Sequence, residues 1–178
     1  MKYCQLDRIT ELSPGKSIAA QRTLRPDEEY LEDHFPRFPV MPGVMMLEAL
    51  HQAGVWLIRM SPHFDQSVVL LREARNVRFG DFLSPGETLD VEAEIIKIDQ
   101  AMTTIKAAAR KGDRVTVSAR LIFESCSSGD PAVLGTDADI MRCSREQFFQ
   151  LYGDNPPVAA VRRPDDGDVP TMNPNMTT

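Results

Sequence analysis

Residues 43–60, GVMMLEALHQAGVWLIRM, constrain the fold more than any other stretch of this chain. They read as a helix with apolar side chains almost all round it, from Val44 through Ile58. A helix of that kind is expected to be buried rather than to lie on a surface, so other elements must enclose it. Pro42 stands in the first turn, where a helix tolerates proline, and Ser-Pro-His at 61–63 supplies a stop. The rest of the chain must therefore form a layer that wraps one central helix.

That layer is legible downstream, where the hydrophobic period drops to two. VVLLREARNVRF (68–79) is strand-like, and Ser-Pro-Gly-Glu at 84–87 is a turn. In TLDVEAEIIKI, Leu89, Val91, Ala93 and Ile95 fall on one face while Asp90, Glu92 and Glu94 fall on the other. Such alternation marks a half-buried strand. A further strand is expected over 103–110, Lys-Gly-Asp turns the chain, and RVTVSARLIF directs Val115, Val117, Ala119, Leu121 and Phe123 inward. Strands joined by short turns pair antiparallel. Before the helix, residues 5–32 read as a lead with a turn at 13–16 and a short strand near SIAAQRTL. The expected class is α+β: a curved antiparallel β-sheet wrapped around a central buried α-helix.

The spacing sets residues 1–124 apart from a C-terminal extension, 125–178. Within the extension SREQFFQLYG predicts a short helix near 144–152, with Ser144 as N-cap, Gln147 three residues on and Gly153 as its stop. Beyond Asp154 the chain is rich in Pro, Asp and Asn, which predicts a flexible tail.

A formal charge of -6 and a pI near 5.1 argue against nucleic acid as a main partner. No run approaches the ~20 apolar residues of a membrane span, and MKYCQLDRIT lacks an apolar signal core. Cys4, Cys126 and Cys143 are odd in number and lack metal-ligand spacing, so free thiols in a reducing cytoplasm are expected. No metal or cofactor is expected.

The chemistry concentrates just ahead of the helix and within it. HFPRFPVMPG places prolines at 36, 39 and 42, which fix φ and predict a stiff extended arm delivering His34 beside the helix N-terminus. Gly43 permits close approach to the backbone, and the helix end offers unpaired N–H groups to a carbonyl oxygen gaining charge. Glu48, in a helix that reads as buried, is expected to have its pKa raised and to serve as a proton donor, with His34 as the complementary base. The residues alone also allow His34 as a surface or capping side chain and Glu48 as a structural hydrogen-bonding partner. His51 and Gln52, three and four positions after Glu48, share its face and read as supports. Met41, Met45 and Met46 suit a channel lining or a core equally.

HFPRFPVMPGVMMLEALHQAG resembles the active-site signature of the 3-hydroxyacyl-[acyl-carrier-protein] dehydratases of the FabZ/FabA type. NVRFGDFLSPGETLDVEAEI resembles that family's second block, and together the likeness spans about residues 6–124. The resemblance implies a hotdog fold and reversible dehydration of a 3-hydroxyacyl thioester to the trans-2-enoyl product in lipid biosynthesis. It implies His34 as the base that removes the α-proton and Glu48 as the carboxylate that protonates or orients the departing hydroxyl. It further implies the Gly43 N–H as the carbonyl-holding amide and Gln52 as a supporting polar residue. Phe38, Met41, Met45, Phe79 and Phe82 become candidates for the acyl lining, and Arg72, Arg75 and Arg78 for contact with an acidic acyl carrier protein. The resemblance implies a homodimer whose sites take the histidine and the carboxylate from different subunits, and many members assemble further into trimers of dimers. Asp33 and Arg37 depart from the family pattern of a small residue before the histidine and Gly or Asn three positions after it. Gly80 and Asp81 replace a basic continuation. A hotdog thioesterase and a non-catalytic acyl-binding or assembly subunit are the competing readings.

Overall fold

The computed structural model describes residues 4–61, 66–127 and 136–153. The elements in chain order are β1 (Arg8–Ser13), β2 (Ser17–Thr23), α1 (Tyr30–Asp33), α2 (Gly43–Arg59), β3 (Val68–Phe79), β4 (Thr88–Asp99), β5 (Met102–Lys111), β6 (Arg114–Cys126) and α3 (Asp137–Tyr152). Six strands form one sheet in the order β1-β2-β4-β5-β6-β3, every neighbouring pair antiparallel. The helix α2 packs against this sheet, and the buried apolar side chains of both form a single core.

Alternation explains how the sheet receives the helix. Val91, Ala93, Ile105, Ala107, Ala109, Val117, Ala119, Leu121 and Phe123 are all buried. Register places Ala93 opposite Ala107, and Ala107 opposite Ala119, so a row of methyl groups runs across three strands. On α2, Ala49, Ala53 and Gly54 are likewise small and buried. At Gly54 a Cβ would lie 2.7 Å from Phe123 Cζ, so the absence of a side chain there lets the ring reach the helix.

Three local readings are corrected. Val115 is not inward but 37% exposed, because the β5–β6 register shifts between Ala109 and Arg110 and buries Thr116 instead, whose hydroxyl donates to Ala109 O. The lead before α2 holds the additional strand β1 and the one-turn α1. The third helix starts at Asp137, capped by Thr136, whose Oγ1 accepts from the Asp139 N–H at 3.2 Å. Ser144 sits inside it, donating to Ile140 O at 2.8 Å, while Gly153 (φ 83°) does end it. Phe148 and Leu151 of α3 enter the same core, with Phe148 6.0 Å from the Trp56 ring. The tail expected from Asp154 lies outside the described residues.

The central helix is less enclosed than its composition suggests. Val44, Glu48, His51 and Val55 recur at helical spacing and form an incompletely covered stripe, with Val44 67% exposed. The strand β3 forms one border of the sheet, and most of its twelve residues are exposed.

Candidate active site

Glu48 lies on that open stripe, held at both oxygens. Its Oε1 accepts from Gln52 Nε2 at 2.8 Å, and its Oε2 lies 3.1 Å from His51 Nδ1. Gln52 Oε1 accepts the Gln5 backbone N–H at 2.8 Å, which fixes the amide's orientation and turns its NH2 toward the carboxylate. The His51 ring stacks on the buried Phe123, centroids 5.7 Å apart and planes 11° from parallel. The carboxylate is thus oriented by a network reaching from the N-terminal segment to β6.

This network reverses the expected protonation bias. The Glu48 pKa is lowered, first by the His51 hydrogen bond and also by Gln52, with burial opposing both. With its side chain 41% exposed, the carboxylate keeps enough water for its donors to prevail over desolvation.

His34 caps α1 at its C-terminal end, its N–H donating to Tyr30 O at 3.0 Å. The expected extended arm is instead a tight turn. Phe35 adopts φ 51°, and the Phe38 N–H donates to Phe35 O at 2.7 Å across Pro36 and Arg37. Proline sets the φ that the second position of such a turn requires. The half-buried imidazole rests against Phe35 with ring centroids 4.5 Å apart. Among the described residues of one protomer, no hydrogen bond or ion pair joins His34 to Glu48, whose oxygens are taken by His51 and Gln52.

Gly43 opens α2, so its N–H has no intrahelical acceptor, and Pro42 before it brings no capping side chain. Phe79 covers this end closely: a Cβ on Gly43 would come within 3.0 Å of the Phe79 ring. Phe38 and Phe82 meet edge to face at 6.0 Å, and both, with Phe79, are more than half exposed. Lys111 Nζ donates to Phe82 O at 2.8 Å, and Asp81 Oδ1 accepts the Phe82 N–H at 2.8 Å, which secures that loop.

The other expected residues divide. Met45 is half-buried beside the core, whereas Met41 is 1% exposed, packed within the core and tied by its N–H to Leu83 O. Arg72 is bonded to Glu124 and Arg75 to Glu73, which leaves Arg78 exposed with neither of those carboxylates. Asp33 and Arg37 are exposed. Gln5 and Phe123, which complete the Glu48 network, escaped the sequence reading. The inward parity of Phe123 in β6 was its only signal, and Gln5 had none.

An antiparallel sheet around one helix, a histidine on the turn before that helix and a carboxylate within it define a hotdog-fold protein of the dehydratase type. The chain belongs to the FabA-like family, whose domain matches residues 2–124. It is 36% identical over 125 residues to the 3-hydroxyacyl-[acyl-carrier-protein] dehydratase FabZ of Levilactobacillus brevis, covering 70% of this chain and 84% of that protein. It is also 36% identical over 118 residues to the FabZ of Pediococcus pentosaceus, covering 66% and 79%. Among solved structures, the dehydratase heterocomplex ApeI:P from Xenorhabdus doucetiae shares the fold, with a TM-score of 0.60 at 19% identity over 75% of this chain and 90% of that one.

Proposed function

We propose that this chain is a hydro-lyase that dehydrates 3-hydroxyacyl thioesters carried on acyl carrier protein. His34 removes an α-proton, and the electron pair moves toward the thioester carbonyl, whose growing charge the Gly43 N–H holds at the helix end. The enolate-like intermediate then forms the double bond as the β-hydroxyl leaves, oriented by Glu48, and one proton returns to it so that the products are the enoyl thioester and water. Phe38, Phe79 and Phe82 flank the acyl chain as it enters, Met45 lies deeper, and Arg78 is the docking arginine best placed to meet an acidic carrier.

The observation that carries this reading is Glu48, gripped at both oxygens on an uncovered stripe of the helix yet bonded to His51 and Gln52 rather than His34. A second copy pairing along β3 supplies the missing neighbour, so the working unit is a homodimer in which His34 of one subunit faces Glu48 of the other. Dimers of this kind are the units from which trimers of dimers are built. Covering the stripe removes water from Glu48 and opposes its depressed pKa, which brings it toward the proton-donating form. Among the described residues no helix is long and apolar enough to cross a membrane.

The test is complementation. His34→Ala and Glu48→Gln are each expected to abolish formation of the ultraviolet-absorbing enoyl group. Unfolded together and refolded at equal amounts, they should recover about a quarter of wild-type turnover, since half the dimers are mixed and each holds one intact site. Zero recovery would place both groups in one protomer. Thiol release without enoyl absorbance would mean hydrolysis instead.

A further inference from the structure

Among the described residues Arg22 is the one charged residue in the set of largest fully buried side chains, 2% exposed at the end of β2. Its inward parity follows from SIAAQRT, in which Ile18, Ala20 and Arg22 alternate toward the core. A guanidinium so placed is tolerable only when its charge is matched. Two carboxylates from separate segments do so: Nη1 donates to Asp7 Oδ1 at 2.8 Å, and Nη2 donates to Glu28 Oε1. The two arms hold different parts of the molecule. Asp7 also accepts the Thr23 N–H at 2.7 Å through Oδ2, so its arm ties the N-terminal segment to β2. Glu28 belongs to the loop that enters α1, and its carbonyl accepts the Leu31 N–H at 3.0 Å.

Helix α1 has four residues, too few to hold itself by its own hydrogen bonds. It is held through Leu31, which is 6% exposed, and through the Glu28 arm. The buried Tyr30 hydroxyl stands close enough to Arg22 and Glu28 to feel both charges. The Tyr30 carbonyl in turn receives the His34 N–H. A short chain of bonds therefore runs from a buried arginine on the sheet to the proposed base: Arg22, Glu28, the single turn of α1, His34.

We propose that Arg22 is a positioning residue for the dehydration, its Glu28 arm setting where His34 stands, while its Asp7 arm serves stability alone. This rests on His34 being the base. An arginine suits the task because its rigid fork binds two carboxylates at once, which a lysine's single ammonium does less well. A displacement of about 1 Å at a reacting group costs on the order of a hundredfold in rate, so a modest loosening of α1 should be visible in turnover.

The two arms can be cut separately in the full-length chain. Glu28→Gln keeps the shape and loses the charge; kcat should fall about tenfold or more with KM little changed. The imidazole resonances of His34, assigned by their loss in His34→Ala, should shift or broaden in the resting protein. Asp7→Asn should lower the thermal midpoint about as far while leaving kcat and those resonances at wild-type values. Glu28→Asp, which retains the charge but shortens the arm by one methylene, should lower kcat and shift the same resonances together, and serves should Glu28→Gln fail to fold. Equal losses of kcat in the two arm variants, or unmoved His34 resonances in Glu28→Gln, would overturn the proposal. The resonances read position whether or not His34 is the base. Turnover retained in His34→Ala would refute the catalytic assignment separately.

Discussion

Gly54→Ala sets two effects of known sign against each other. Alanine is the better helix former by about 0.8–1 kcal/mol in a helix interior, so on an open helix the change would stabilise. Here the added Cβ would lie 2.7 Å from Phe123 Cζ, 2.9 Å from Cε2 and 3.4 Å from Ile105 Cδ1. Phe123 is fully buried and stacked on His51, so its ring cannot swing into solvent to make room. Forcing an extra methyl into such a core costs about 1–3 kcal/mol. At the middle of that range the clash wins: a net loss of about 1 kcal/mol is expected, with turnover falling because any ring movement is passed through His51 to Glu48. Urea unfolding at fixed protein concentration should show the midpoint lowered by roughly 0.5 M at unchanged slope. Adding Phe123→Leu should make the alanine less harmful than it is alone, a coupling readable in a double-mutant cycle. A midpoint that rises in Gly54→Ala would refute the packing argument, showing that helix propensity governs and that the ring yields freely.

Phe148→Ala should cost about 3–5 kcal/mol in denaturant unfolding, as for other buried aromatic truncations, since that ring fills the core beside Trp56; a change near zero would mean that α3 is not docked. His51→Ala removes the largest cause of the lowered Glu48 pKa, so the carboxyl titration followed by carbon NMR should move up toward the ordinary value. In the wild type, the ionised Glu48 adds stability above the ordinary carboxylate pKa, which is lost as pH falls through the lower folded value; His51→Ala should flatten that acid-side slope. Cys126→Ser should leave stability within about 0.5 kcal/mol and turnover unchanged, because this half-buried thiol contributes to none of the contacts around Glu48 or His34.

Period and punctuation carried most of the fold. The helix over 43–59 and the strands after residue 68 were legible because apolar spacing and turn residues agree there. Short elements held by distant partners were not. Helix α1 owes its existence to Leu31 and Glu28 meeting side chains from elsewhere, which no local pattern announces. The capping motif at Ser144 was outcompeted by Thr136, whose hydroxyl takes the Asp139 N–H, while the Ser144 hydroxyl donates back to Ile140 O within the helix. For the proposed site, residue types and spacing singled out His34, Gly43 and Glu48 as candidates. The lowered pKa of Glu48 within one protomer was missed because burial was inferred from composition, while in the protomer alone the stripe that bears it is open. Arg22 left a signal that went unused: an arginine on the inward parity of a strand demands carboxylates, and Asp7 and Glu28 flank that strand.

The border strand β3 carries a constraint on assembly. Its pairing with β6 slips between Leu71 and Glu73 and again between Arg75 and Arg78, and Asn76 between them adopts φ 53°. Such an edge is bent and studded with charge, a poor template for the open-ended strand addition that turns sheets into fibres. Whatever docks along it must present breaks at matching places. An identical strand running the other way, related by a two-fold axis, brings those breaks with it and uses up both β3 edges, so that only the short β1 still borders the sheet. The irregularities that look like flaws in a strand thus act, for the proposed dimer, as a stop signal along β3.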